Sequence, residues 1–392
     1  MSESIIITAA RRTPMGAFQG ALSALSATEL GAQAVRAALA DGRIEPAQVD
    51  EVLLGCVLAA GLGQAPARQA ALGAGLPASV PATTLNKVCG SGMQAAMLGA
   101  NAIRAGTAQV VVAGGFESMS NAPYLVPKAR QGLRMGHAQL LDHMFYDGLQ
   151  NAADGVLMGQ FADITARRYG FTREQQDAYA IESVRRAQAA LREGAFRDEI
   201  VAVKVRSRKG ELLVQEDEPP AACDIAKIPT LKPAFGPEGT VTAASASSIA
   251  DGAAALVLMS EPAARASGAP RLARLVAQAS FAQQPEWFTT APAAAIRRVL
   301  ERSGWQAADV SLFEINEAFA VVTMAAIHDL GLDAARVNVH GGACALGHPL
   351  GATGARILTT LVHALRRQRQ GRGIAALCIG GGEATAVAIE AL

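Results

Sequence analysis

Aromatic side chains make up only 4% of this 392-residue chain. That scarcity argues against the stacking platforms that hold single-stranded nucleic acid. Charge of one sign is also missing. With 35 Lys and Arg against 34 Asp and Glu, no global attraction to nucleic acid or an anionic membrane is expected. The balance still leaves room for a local basic patch facing a phosphorylated ligand. No run approaches the ~20 consecutive apolar residues of a membrane span. The first residues, Met1 to Thr8, have neither a basic leader nor a long apolar stretch, and read as a first β-strand rather than a signal peptide. Cysteine is sparse: the five present, at 56, 89, 223, 344 and 378, are odd in number and irregularly spaced. That favours free thiols in a reducing, cytoplasmic setting over a disulfide framework.

What is present is apolar bulk. Hydrophobic residues are 51% of the chain, enough for a large core, and the length suits two or three domains. Short β-rich runs at 5–8, 51–54, 109–113, 310–314, 337–339 and 374–378 alternate with Ala-rich helical stretches at 28–39, 92–105, 173–193, 293–303, 318–330 and 352–367. The class is α/β, with strands covered on both faces. An internal repeat is visible. Val49 to Gly55 resembles Asp309 to Glu314, and each is followed, about forty residues on, by a Gly-rich loop opening a helix. Each helix then leads to a strand ending in glycines, Val110 to Gly115 and Ala375 to Gly381. Between the halves the texture turns to prolines, charges and polar turns, as expected of an inserted domain that carries binding function.

Three reactive groups sit in glycine. Cys89 lies in Asn86-Lys87-Val88-Cys89-Gly90-Ser91-Gly92, just ahead of a predicted helix. The positive end of that helix is expected to lower the thiol pKa and make a nucleophile, the plain alternative being a small core cysteine. His348 lies in Gly347-His348-Pro349-Leu350-Gly351, held to take a proton from a nearby thiol. Paired with Cys344 it is also half of a metal site, but no second pair follows at standard spacing. Cys378 ends a strand before Gly380-Gly381-Gly382, where backbone N–H groups suit an oxyanion and the thiol suits proton transfer; a strand cysteine before a turn is the alternative. Asn316, where a strand meets a helix, is placed either to hold a water or oxyanion or simply to cap the helix.

Together these segments resemble the thiolase family, along with Gly114-Gly115-Phe116-Glu117-Ser118-Met119-Ser120, Asn316-Glu317-Ala318-Phe319-Ala320, Lys232 to Phe235 and Gly239 to Ala243. Each motif is weak alone; their joint order is specific and spans the chain. Within the family the likeness is greatest to acetyl-CoA C-acetyltransferases. The resemblance implies thiolase-like duplicated βαβαβαββ halves that form a five-layered α/β/α/β/α core with an inserted loop domain. Residues 1–118 would form the first half, rejoined by 249–269; 119–248 the loop domain, with CoA and oligomer contacts; and 270–392 the second half.

The resemblance also implies a ping-pong cycle. Cys89 would take the acetyl group from acetyl-CoA, with His348 accepting its proton. Cys378 would then deprotonate the methyl group of a second acetyl-CoA, giving acetoacetyl-CoA and CoA, or the reverse thiolysis. His348 and a water on Asn316 would form one oxyanion hole, and the backbone N–H groups of Cys89 and Gly380 the other. Ser247, Met158, Ala318, Phe319, Phe235 and Ala243 would contact the CoA chain. No cofactor would be held permanently and no metal, nucleic acid or membrane would be bound; a homo-oligomer, dimer or tetramer, would be expected. Three positions depart from the common pattern: His340 and Ser245 stand where Asn is frequent, and Pro220 where an Arg is often found near the adenine. The rivals are a degradative 3-ketoacyl-CoA thiolase of broad chain length, a decarboxylating condensing enzyme and a non-catalytic acyl-CoA-binding protein. Bulky residues at 143–146 and 287–288 favour short acyl groups.

Overall fold

The computed structural model describes residues 4–207 and 210–392, so Met1, Ser2 and Glu3, ahead of the expected first strand, lie outside the described residues. Nine strands of one mixed sheet organise the molecule: β1 (Ile5–Arg12), β2 (Glu51–Gly55), β3 (Ala82–Leu85), β4 (Val110–Ser118), β5 (Ala250–Ser260), β6 (Ala273–Ala282), β7 (Leu312–Ile315), β8 (Arg372–Ile379) and β9 (Glu383–Ala391). A two-residue strand, Gly16–Ala17, adds to β5. The order is β7-β8-β9-β6-β1-β5-β4-β2-β3.

The same pattern runs outward in both directions from the β1–β6 join. From β1 the neighbours are β5 and β4, both antiparallel, then β2 and β3, parallel. From β6 they are β9 and β8, antiparallel, then β7, parallel. The join itself is short, pairing Ile5, Ile6 and Ile7 with Leu275, Arg274 and Ala273. The repeat in the sequence is therefore a repeat of topology.

Alternation along each strand sorts side chains into layers. Ile6, Val110 and Val112 face one apolar cluster, which contains the helices α1 (Ala27–Gly42) and α2 (Pro66–Ala74). Ile5, Ile7, Val111 and Ala113 face another, which contains α3 (Ser91–Arg104) and also reaches β8 and β9. Two further helices, α4 (Met158–Tyr169) and α5 (Arg173–Arg192), lie in the chain between β4 and β5. The far face of the second half packs on α6 (Ala291–Ser303) and α7 (Ala320–Leu330). The last helix, α8 (Leu350–Arg367), shares the central layer with α3. The result is five layers, α1/α2, sheet, α3/α8, sheet and α6/α7.

The two central helices touch backbone to backbone. A Cβ on Gly354 would lie 2.2 Å from the Met93 nitrogen, and one on Gly92 would lie 2.8 Å from the Ala355 nitrogen. Glycine is required at that crossing, and the crossing sets the first turns of the two helices side by side. Because Cys89 and His348 each lie just ahead of the N-cap of α3 and α8, Gly90 and Pro349, this contact sets the two residues side by side.

Several expectations shift. Residues 337–339 do not form a strand: Val337 makes a single parallel bridge to Phe313, at the place that β3 occupies in the first half. The helix expected from 318 starts at Ala320, after an extended Phe319. The strands β5, β6 and β9 went unread because their alanines carry no β signal on their own.

Candidate active site

Cys89 is half-buried in a tight turn that its neighbours staple. Val88, before it, is β-branched yet sits at φ +46, a conformation that costs about 1–3 kcal/mol and persists only where surroundings impose it. They do. The Ser91 hydroxyl donates to the Val88 carbonyl at 2.6 Å and accepts the Lys87 N–H at 2.8 Å, while Asn86 Oδ1 accepts the Val88 N–H at 2.8 Å. Lys87 pairs with Glu383, tying this turn to the turn that follows Cys378.

The thiol is not acidified as expected. Burial pushes it up to about 11, and the charge of Glu117 adds to that. Opposing them is the Gly380 backbone N–H, which donates to the sulfur. The turn before α3 does supply N–H groups, but desolvation of the thiolate outweighs them. Cys378 is fully buried at the end of β8, and its thiol is also raised, first by burial and then by the nearby Cys89. The two thiols and the Gly380 N–H thus converge.

His348 is 5% exposed, and burial, with a push from the Arg356 cation, holds it down to about 3. It is a neutral imidazole. Its Nδ1 lies 2.6 Å from Thr353 Oγ1, and its Nε2 has no hydrogen-bond partner among the described residues. Asn316 follows β7, nearly fully buried, with its backbone N–H on the Ala376 carbonyl. Among the described residues, neither Oδ1 nor Nδ2 of its side chain is paired. It caps no helix, since α7 opens at Phe319. A buried amide without partners is costly, and it fits a group kept free for a ligand or water.

One apolar cavity of about 340 Å³ runs to His348. It is lined by Met158, Phe235, Ala243, Ser247 and Phe319, five of the six contacts expected for the CoA chain, together with Phe145, Leu149 and Leu350. The sixth, Ala318, packs with Cys378, Met158 and Phe319 in the adjoining cluster, and its carbonyl accepts the Ser247 N–H at 3.0 Å. A second cavity of about 290 Å³ continues from Ala243 and Ser248 to Cys223, Lys227 and Leu231. A roomier, polar cavity lined by Arg192, Arg197 and Glu216 includes none of these groups. Cys344, the other half of the considered metal pair, has its Sγ against the Glu317 carbonyl.

The three departures have local uses. Ser245 Oγ accepts the Thr242 N–H at 2.8 Å, the His340 ring meets Phe196 edge to face, and the Pro220 carbonyl accepts from Gln188. Of the bulky segments, Phe145 lines the cavity and Phe288 packs in the Cys378 cluster, whereas Tyr146 is exposed and Trp287 lies under Arg168. Thr353 was not among the expected residues. Its signal was its place five residues after His348, on the first turn of α8 and facing back.

A neutral imidazole with a free nitrogen, one half-buried and one buried thiol, and an N–H aimed at one sulfur define a thiol acyl-transfer site. Family profiles agree. "Thiolase, N-terminal domain" matches residues 5–262 and "Thiolase, C-terminal domain" matches 269–391, and the chain belongs to the thiolase family. It is 51% identical over 389 residues to an acetyl-CoA acetyltransferase of Pseudomonas aeruginosa, covering 99% of each chain. To that of Cupriavidus necator it is 48% identical over 388 residues, covering 98% of this chain and 99% of the other. The crystal structure of the Bacillus anthracis acetyl-CoA acetyltransferase superposes with a TM-score of 0.97 at 42% identity, covering 100% of this chain and 99% of that one.

Proposed function

We propose that this chain is an acetyl-CoA acetyltransferase that joins two acetyl-CoA molecules into acetoacetyl-CoA and CoA, and runs the reverse thiolysis. The observation that carries the reading is the meeting of Cys89, Cys378 and the Gly380 N–H beside a cavity that ends at a free His348 Nε2.

In this reading Cys89 Sγ attacks the thioester carbonyl while its proton passes to His348 Nε2. The tetrahedral oxyanion is held by the N–H groups of Cys89 and Gly380, and CoA leaves with the proton from His348. A second acetyl-CoA enters; the Cys378 thiol gives its proton to His348 Nε2, and the thiolate so formed removes a methyl proton while the His348 Nε2–H and a water on Asn316 donate to the enolate oxygen. The carbanion attacks the acetyl group on Cys89, the C–S bond breaks, and His348 Nε2 gives its proton to the departing Cys89 thiolate as acetoacetyl-CoA forms. Each oxyanion donor is worth on the order of 10²–10³ in rate. The apolar cavity suits the pantetheine arm, and the continuation past Lys227 suits the nucleotide, with that ammonium standing in for the Arg absent at Pro220.

No described helix is long and apolar enough to cross a membrane. A homo-oligomer is part of the same reading. The exposed Leu133, Met135 and Leu140 on one surface excursion support it, and the mass in solution tests it. For the chemistry, the direct test is peptide mass spectrometry after mixing with acetyl-CoA. An acetyl adduct on Cys89 is expected; no adduct, or one on another cysteine, would sink the mechanism.

A further inference from the structure

Two of the buried carboxylates that this chemistry does not use, Glu117 and Glu317, bond to the segment that carries His348. Glu117 is the penultimate residue of β4 and Glu317 follows β7 by two residues, and both are at most 1% exposed. Neither lines the apolar cavity. Each is nonetheless surrounded by donors. Glu117 Oε2 accepts the N–H groups of Val57 at 3.0 Å and Gly351 at 2.8 Å; Oε1 accepts Leu58 N–H at 3.0 Å and faces the Cys56 thiol at 3.6 Å. Glu317 Oε2 accepts the Ser183 hydroxyl at 2.7 Å and the Cys344 N–H at 3.1 Å; Oε1 accepts the Tyr179 hydroxyl at 2.9 Å and Asn338 Nδ2 at 2.8 Å.

The two bonds that matter here are those to Gly351 and Cys344. They bracket His348, one on each side along the chain. The segment is pressed inward at both ends where a glycine allows it. A Cβ on Gly342 would lie 2.3 Å from Glu317 Cδ, and one on Gly351 would lie 2.8 Å from the Phe116 carbonyl oxygen, next to Glu117. Between the two anchors the chain is held by the His348 N–H on the Ser248 carbonyl at 2.9 Å. One carboxylate comes from each half of the duplicated fold. A turn of a few residues carrying a functional imidazole is thereby suspended between two halves that are otherwise joined at three strand positions and across the central helices.

We propose that Glu117 and Glu317 are a pair of positioning residues that hold the His348 turn from opposite sides, so that the imidazole keeps its alignment with Cys89 through the cycle. The inference rests on the acyl-transfer reading above. The number of acceptor oxygens matters to it as well as reach. Both oxygens of each carboxylate accept from donors, so an amide in its place must turn an NH₂ toward an N–H or O–H and let go on that side.

The test is a cycle of variants read by the rate of Cys89 acetylation at saturating acetyl-CoA, followed by mass spectrometry. E117Q and E317Q are each expected to slow acetylation at least tenfold while the half-saturating acetyl-CoA concentration stays within about twofold. In a H348A background the same substitutions are expected to add less than a twofold further loss, because their effect passes through the imidazole. Where a Gln variant does not fold, E117D or E317D carries the same cycle, keeping the charge and withdrawing it by one methylene. Acetylation at the wild-type rate in both variants, or a loss of equal size with and without His348, overturns the proposal. Wild-type protein that forms no adduct on Cys89 overturns this proposal and the function together, whereas a normal wild-type adduct with unimpaired variants falls on the clamp alone.

Discussion

His348 Nδ1 lies 2.6 Å from Thr353 Oγ1, and that hydroxyl donates its own proton to the Pro349 carbonyl at 2.9 Å. The hydroxyl is thus an acceptor toward the ring, the ring proton is on Nδ1, and the lone pair is on Nε2, the nitrogen left free. Thr353→Val keeps the shape and removes the acceptor. Stranding a buried N–H costs about 1–3 kcal/mol, and the other tautomer would place a proton where a base is needed. Thiolysis kcat is expected to fall about 10–100-fold with KM little changed, and Thr353→Ser to restore most of it. Steady-state kinetics of the pair decide; a Val variant with normal kcat would remove Thr353 from tautomer control.

A thiol pushed up to about 11 beside an imidazole held down to about 3 is a neutral pair at rest. Alkylation of Cys89 by iodoacetamide is expected to rise about tenfold per pH unit through neutrality, without a low-pH plateau. A plateau below pH 7 would instead mean a standing thiolate–imidazolium pair. The groups also set a stability window. Below the usual histidine value of ~6.5 the unfolded chain takes a proton that folded His348 refuses, so stability is lost as pH falls toward 3. Above the usual thiol value of ~8.5 the unfolded chain loses a proton that folded Cys89 keeps, so stability is lost as pH rises toward 11. Urea midpoints are expected to be highest between those limits.

Local pattern revealed much of this site. Cys89, His348, Cys378 and Asn316 stood out because glycine or a strand–helix junction framed each one, and the five cavity contacts followed from the family likeness. Glu117 and Glu317 were visible as letters inside quoted motifs, but their donors come from residues 21 to 234 positions away, which no local pattern encodes. The thiol pKa was misjudged for a related reason. The helix end is a local feature and was legible; the desolvation that outweighs it is produced by packing from both halves. Ala-rich strands such as β9 escaped notice because they become strands only when two covered faces are available.

In the proposed cycle Cys378 moves a carbon-bound proton while Cys89 holds the acyl group, so the two half-reactions should separate. In Cys378→Ser the side chain stays small and hydrogen-bonding, but an alkoxide is far harder to form than a thiolate. Exchange of label between acetyl-CoA and free CoA, which needs only Cys89 and His348, is expected to persist within about tenfold of wild type. Formation of acetoacetyl-CoA is expected to drop by at least 10²–10³, within the range of a lost general base. Near-normal condensation would remove Cys378 from that role.

Aromatic bulk packs around Cys378, the thiol that the proposed cycle sets beside the reacting acyl carbon. Phe288 is 3% exposed and packs with Cys378, Met158 and Phe319, its ring edge-on to Phe319 at 6.3 Å. A two-carbon group needs no room beyond Cys378, whereas each added methylene must displace part of that cluster. An apolar pocket discriminates one methylene by about 1–3 kcal/mol, or roughly 10–200-fold. Wild-type thiolysis is therefore expected to fall steeply from acetoacetyl-CoA to 3-ketohexanoyl-CoA. Phe288→Leu removes ring volume without emptying the site, and should cost less stability than the about 3–5 kcal/mol of a truncation to Ala. The ratio of kcat/KM for the longer to the shorter substrate is expected to rise at least tenfold in that variant, mainly through the longer one. If the ratio does not move, the length limit lies instead with Phe145 and Leu149, on the π-helical segment Phe145–Leu149 at the other wall of the cavity.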